Sequence, residues 1–150
     1  MLALELAKYG CTVNTISPGA ITRMTIDLIP DADRAFSALV TDLDERGLLD
    51  ETLVVMMGEM GRTPRINQMS GRDHWSSAGI ACFAGAGIPG GTVVGQTDAI
   101  GGHSVGKEYY PQDIAATVYT KPGIPVDTTH TVGDGRPMRL CDGALIQELV

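Results

Sequence analysis

A chain of 150 residues with 43% hydrophobic and 19% charged residues can bury one sizeable core and is not a disordered sequence. Its net charge of −7, with arginines scattered rather than clustered, argues against a nucleic-acid surface. Three cysteines with no Cys-x-x-Cys exclude a zinc knuckle or a thioredoxin-type motif and suit a reducing compartment.

The opening MLALELAKYG is too short and too charged for a signal peptide or a membrane span. The chain as written is therefore expected to be cytoplasmic, without membrane contact. Leu2, Leu6 and Tyr9 share a helical face that Gly10 stops, and Cys11–Ile16 alternates like a strand until Ser17-Pro18-Gly19 breaks it. The clearest helix is Asp31–Leu49: Asp31 or Asp33 caps it, Phe36, Leu39, Val40 and Leu43 form the apolar face, and Gly47 ends it. Thr52–Met57 reads as a buried strand, Met60–Asp73 as a long polar loop, Ala78–Ala84 as a second strand and Thr92–Val94 as a short third. Pro111 opens a further helix through Tyr119. After Lys121 the chain is rich in Pro, Gly, Thr and Asp, and only Ala144–Val150 looks regular. Strands alternating with helices predict an α/β fold with a mainly parallel sheet and flanking helices.

Four motifs carry possible chemistry. Gly85-Ala86-Gly87-Ile88-Pro89-Gly90 matches G-x-G-x-x-G, but a dinucleotide site needs a helix N-terminus there. Pro89 and the following TVVG point instead to a glycine-rich turn between two strands. Gly101–Lys107 approaches a P-loop, yet Glu108 occupies the place of the magnesium-binding hydroxyl. Gly102-His103-Ser104-Val105-Gly106 spells a nucleophile elbow with Asp127 and His130 following in triad order. The elbow requires a strand before it and a helix after it, and QTDAIG and KEYY supply neither pattern. The fourth motif is LVVMMGEMGRTP followed by Gly71-Arg72-Asp73-His74-Trp75. In an open α/β sheet, ligands gather at carboxyl ends of strands, where Glu59 would sit, and His74 follows a polar loop at the neighbouring strand's end. A carboxylate and an imidazole are ordinary ligands for a divalent metal, and equally ordinary as a loop acid and a surface histidine. Asp73 and Asp98 are possible further ligands or orienting partners, and Arg62 and Arg72 can hold an oxyanion by paired hydrogen bonds or neutralise nearby carboxylates.

From Asp33 onward the segments RAFSALVTDLDERGLLDETLVV, GEMGRTPRIN, GRDHW, AGAGIPGG, VVGQTD, PQDIAATVY and DGRPM occur in an order that resembles a sulfatase-like domain-of-unknown-function family in the alkaline phosphatase superfamily. The resemblance implies an alkaline phosphatase/sulfatase-like C-terminal domain over 31–150, truncated before its nucleophile. It implies metal-assisted hydrolysis of a small-molecule sulfate or phosphate ester as the ancestral chemistry. The superfamily's Asp-His-Gly at the strand end becomes Glu59-Met60-Gly61 here, and its later metal-binding His becomes His74. Glu59 and His74 carry over as metal ligands and Met60 does not, because a thioether is a poor ligand for a hard or borderline divalent ion. The resemblance further implies Asp73 as a possible metal ligand, Arg62 as the substrate-anion contact, a weakly bound zinc, manganese or calcium ion, and no catalytic residue in this chain. Pro122 should end the preceding helix early, leaving it frayed or shortened.

LALELAKYGCTVNTISPGAITRMT, in contrast, resembles the late helix-strand-loop of short-chain dehydrogenases, in which Pro18, Gly19 and Ile21 would line a nicotinamide. No Tyr-x-x-x-Lys occurs, so the 1–30 fragment carries no hydride-transfer machinery. The two resemblances meet near Pro30–Asp33 and imply a fusion or a mispredicted reading frame. Such a join would leave a sheet exposed for self-association.

Overall fold

The computed structural model describes residues 29–150, so the helix and strand expected before Ser17 and the candidate cofactor loop at Pro18, Gly19 and Ile21 lie outside the described residues. The described chain falls into two compact units, residues 29–85 with Val93–Glu108, and Ala86–Thr92 with Tyr109–Val150.

The first unit opens with helix α1, Ile29–Glu45. It starts ahead of Asp31, whose carboxylate forms an exposed ion pair with Arg34 on the next turn rather than capping the helix. Phe36, Leu39, Val40 and Leu43 recur at helical spacing and are half-buried, as their pattern predicts. Gly47 ends the helix as expected. It adopts φ +67°, its N–H donates to the Asp44 carbonyl (2.9 Å), and the Leu48 N–H reaches back to Leu43 (2.8 Å). That pair of bonds is a Schellman closure, which only a residue free to take a left-handed conformation makes cheaply.

A 3₁₀ turn, Leu49–Glu51, leads into β1, Val54–Met57. The chain then forms two very short strands, β2 (Gly61–Arg62) and β3 (His74–Trp75), before β4, Ala81–Ala84. β1 pairs antiparallel with β4 from Val54↔Ala84 to Met57↔Ala81, and β2 pairs antiparallel with β3 inside that outer pair. Gly85 follows β4 at φ +81°, and a Cβ there would lie 2.1 Å from the Thr52 carbonyl oxygen, so the strand pair closes over a glycine.

The second unit contains α2, Pro111–Thr120, and a hairpin of β5, Thr129–Thr131, with β6, Pro137–Arg139. Pro111 stands in the first turn and Asp113 accepts from the Tyr110 N–H (2.8 Å), so this helix begins where the sequence placed it. It ends at Thr120, just ahead of Pro122, without fraying: Gly123 (φ +80°) and Ile124 donate back to Thr120 and Tyr119 (both 2.9 Å) in a second Schellman closure. Ala116, Tyr119, Ile124 and Cys141 form a buried cluster flanked by Ala115, Val126 and Leu140. The segment after β6 is stitched to the first turns of α2. Cys141 Sγ donates to the Gln112 carbonyl (3.2 Å), the Ala144 N–H to Asp113 Oδ1 (2.9 Å) and the Ile146 N–H to Thr117 Oγ1 (3.1 Å). The chain closes on a 3₁₀ turn, Gln147–Leu149.

The parallel sheet expected from the sequence, and with it the truncated alkaline phosphatase/sulfatase-like architecture, is corrected by this topology. Among the described residues the sheets are three separate two-stranded antiparallel pairs. Parallel neighbours need a crossover, usually a helix, and the connection from β1 to β4 carries a short hairpin instead, so the chain returns antiparallel. The strand expected at Thr92–Val94 is irregular, and what lies near it is an isolated bridge between Thr97 and Ser104. No helix among the described residues is long and apolar enough to cross a membrane.

Candidate functional site

The inner hairpin carries most of the residues that the sequence singled out. Antiparallel pairing sets Arg62 directly across from His74 and Gly61 across from Trp75. Side chains alternate across a strand, so each pair takes one face of the hairpin. The Gly61–Trp75 face is packed. A Cβ on Gly61 would fall 1.4 Å from the Ala78 carbonyl oxygen, which leaves only hydrogen at that position. The Trp75 indole N–H donates to the Gly102 carbonyl, and the His103 ring meets the indole edge-on with centroids 5.7 Å apart.

Gly102 itself sits in a loop organised by Asp98. Asp98 Oδ1 accepts from the N–H groups of Gly102 (2.7 Å) and Ile100 (3.2 Å), and the Asp98 N–H donates to the His103 carbonyl (2.9 Å). The Gly102 N–H, against an opposing effect of burial and with further backbone donors and the charge of His103, holds the Asp98 carboxyl below its ordinary value. Asp98 thus serves the loop that covers Trp75, on the face opposite His74.

The Arg62–His74 face is open, with His74 exposed and Arg62 half-buried. The loop joining the two strands is held by its own polar side chains. Asn67 Oδ1 accepts from Met69 and Gly71 (both 3.0 Å), and Asn67 Nδ2 donates to Asp73 Oδ1 (2.8 Å). Arg72 Nη1 donates to the carbonyls of Thr63 and Pro64 (both 2.7 Å). Of the two arginines, Arg72 is therefore a strut within the loop, and Arg62 is the guanidinium beside His74. Sequence reasoning overlooked Asn67, whose signal was present: a short amide side chain inside a polar loop is suited to closing a turn on neighbouring N–H groups.

Glu59 lies in the exposed bend between β1 and β2, followed by the half-exposed Met60. Among the described residues no three His, Cys, Asp or Glu side chains gather into a group able to hold a metal ion. Glu59 precedes β2 and Asp73 precedes His74 at the start of β3, but the three do not form a three-donor cage, and one Asp73 oxygen is already engaged by Asn67.

The remaining motifs take structural roles in their surroundings. Gly85, Ala86 and Gly87 all have positive φ and form a turn with no helix after it, in keeping with the turn reading of G-x-G-x-x-G, although no second strand follows. Ser104 pairs with Thr97 and donates to Glu108 (2.8 Å), and the strand-turn-helix setting of a nucleophile elbow does not surround it. Asp127 and His130 are exposed residues of the second unit, and His130 belongs to β5.

A family model described as a protein of unknown function (DUF1501) matches residues 19–150, reaching upstream of Pro30–Asp33. No curated protein and no solved structure matches the chain.

Proposed function

Since the chain belongs to the DUF1501 family of proteins of unknown function, we propose that it is an incomplete sulfatase- or phosphatase-like metallohydrolase domain related to the alkaline phosphatase superfamily, with little or no turnover by itself. The observation that supports this reading is the register of the inner hairpin. It sets Arg62 across from an imidazole, His74, with Asp73 adjacent in the chain and Glu59 just before β2. Glu59 and His74 are the proposed ligands of a zinc, manganese or calcium ion, Asp73 a further ligand through its second oxygen, and Arg62 the contact for a sulfate or phosphate ester. The described residues do not by themselves complete a ligand set, so the ion would be mostly water-coordinated and easily lost, and no catalytic step runs through it. Exposed Ile66, Met69, Ile80, Val93 and Ile100 support self-association of the chain.

Thermal unfolding with added metal tests the reading. Zinc or manganese at millimolar concentration is expected to raise the melting temperature, because an ion that binds only the folded state stabilises it. Glu59→Ala and His74→Ala should each abolish the rise. A melting temperature indifferent to every divalent ion ends the metallohydrolase reading and leaves a non-catalytic module.

A further inference from the structure

We propose that Arg62 and His74 together form a metal-independent binding site for a small oxyanion on the open face of the β2–β3 hairpin. Shared location aside, this goes beyond the metallohydrolase reading, because it assigns His74 to the anion as a hydrogen-bond donor and requires no ion.

Backbone pairing supplies the geometry. The Thr63 N–H donates to the Asp73 carbonyl (3.0 Å), and the Asp73 N–H donates to Thr63 Oγ1 (3.1 Å). Thr63 and Asp73 are therefore the pair joined through the backbone, and Arg62 and His74, one step further along, are the non-hydrogen-bonded pair. In such a pair the Cα atoms approach to about 4.5 Å and the side chains stand closer together than in the alternate pair. A planar guanidinium with five N–H groups and an imidazole that always carries at least one N–H thus stand side by side.

The charges around them select the sign of the ligand. Among the described residues, neither Arg62 nor His74 has a carboxylate in salt-bridge range. One oxygen of the nearest acid along the chain, Asp73, accepts from Asn67, and the second guanidinium, Arg72, donates to the carbonyls of Thr63 and Pro64. Asp98 and His103 belong to the loop packed on Trp75, which occupies the other face. A permanently charged guanidinium beside an imidazole N–H favours an acceptor with negative charge spread over several oxygens. Rigidity adds to this. Gly61 is clamped against Ala78, and the loop is closed by Asn67 and Arg72, so the backbone that carries the two donors is held in place before a ligand arrives.

The test is an anion titration of the full chain in EDTA at constant ionic strength, followed by the backbone amide resonances of residues 61–63 and 73–75 and the Arg62 Nε–H. Inorganic phosphate, sulfate, phenyl phosphate and acetate are compared with chloride. Saturable shifts confined to the hairpin with the oxyanions are expected, with affinity lowered at least tenfold by Arg62→Gln and several-fold by His74→Ala. The two ester-type ions and acetate separate a tetrahedral from a carboxylate preference, and either preference supports the site. The amide resonances of β1 and β4, in the same unit as the hairpin, report independently that each variant is folded. Shifts that chloride reproduces, that survive Arg62→Gln, or that appear only once zinc replaces EDTA overturn the proposal. The last outcome would leave the metallohydrolase reading standing, whereas a metal-insensitive protein that still binds phosphate would do the reverse.

Discussion

Replacing Thr117 by valine keeps the shape of a fully buried side chain and removes one oxygen. Thr117 Oγ1 donates to the Asp113 carbonyl (2.9 Å) and accepts the N–H of Ile146 (3.1 Å), a buried contact that ties the segment after β6 to α2. The valine variant leaves the Ile146 N–H without its acceptor where water does not reach, which costs about 1–3 kcal/mol. A methyl in place of the hydroxyl returns on the order of 0.8 kcal/mol through added apolar burial. The net loss is then about 0.2–2 kcal/mol, centred near 1 kcal/mol, or roughly a five- to tenfold fall in the folded-to-unfolded ratio. Urea denaturation measures that loss, and hydrogen exchange at the Ile146 amide localises it. Thr117→Ser is the control: it keeps the acceptor, loses a buried methyl at about 1 kcal/mol, and should preserve protection at Ile146. A valine variant as stable as the parent, with Ile146 still protected, would show that the oxygen does not fasten the C-terminal segment and would refute the reasoning.

Gly61→Ala places a Cβ 1.4 Å from a backbone oxygen and should cost more than about 4 kcal/mol, read as loss of soluble folded protein, while Gly90→Ala, with nothing within 4 Å, should leave the denaturation midpoint within about 0.5 kcal/mol of the parent. Trp75→Phe keeps an aromatic ring, smaller than the indole, and deletes the N–H that holds Gly102; with the Gly102 carbonyl released, exchange at the Gly101–Ser104 amides should accelerate, and unchanged rates would contradict the packed-face assignment. The Asp98 carboxyl is held below its ordinary value of 3.8, so its stabilising effect is complete above that pH and disappears as the pH falls through the lower folded value. Asp98→Asn should accordingly flatten the acid limb of the stability profile below pH 3.8 without altering its shape near neutrality, and an unchanged acid limb would count against the loop-capping role.

Features decided by a few adjacent residues were legible in the sequence. Pro111 announced the start of α2, and Gly47 announced the end of α1, because capping and closure depend on local backbone freedom. Pro122 correctly marked the limit of α2, but fraying did not follow, since Gly123 lies one residue on and completes the closure. Strand direction was not legible. The apolar runs before Gly58 and Gly85 look alike whether they lie parallel or antiparallel, and the decision rests on what the intervening chain does. That chain reads as a long polar loop because two-residue strands are too short to show alternation. The β5–β6 hairpin was missed despite Asp134-Gly135 at its turn, a dipeptide suited to reversing the chain. The candidate site followed the same division. Glu59, Asp73 and His74 were picked out by residue type, but the facing of Arg62 and His74 is a matter of register, which no single residue encodes.

The nesting of one antiparallel pair inside another also bears on the order in which this unit acquires its structure. For β1 to meet β4 from an open chain, all of residues 58–80 must be brought to closure at once. If Gly61–Arg62 and His74–Trp75 associate beforehand, most of that stretch is already spanned, and the outer strands have only short arms left to bring together. Because closure entropy rises only about 0.6 kcal/mol for each doubling of loop length, the gain is modest in equilibrium terms but applies directly to the barrier. The inner pair is then a zipper's first tooth, and changes at Gly61 should slow folding more than they speed unfolding.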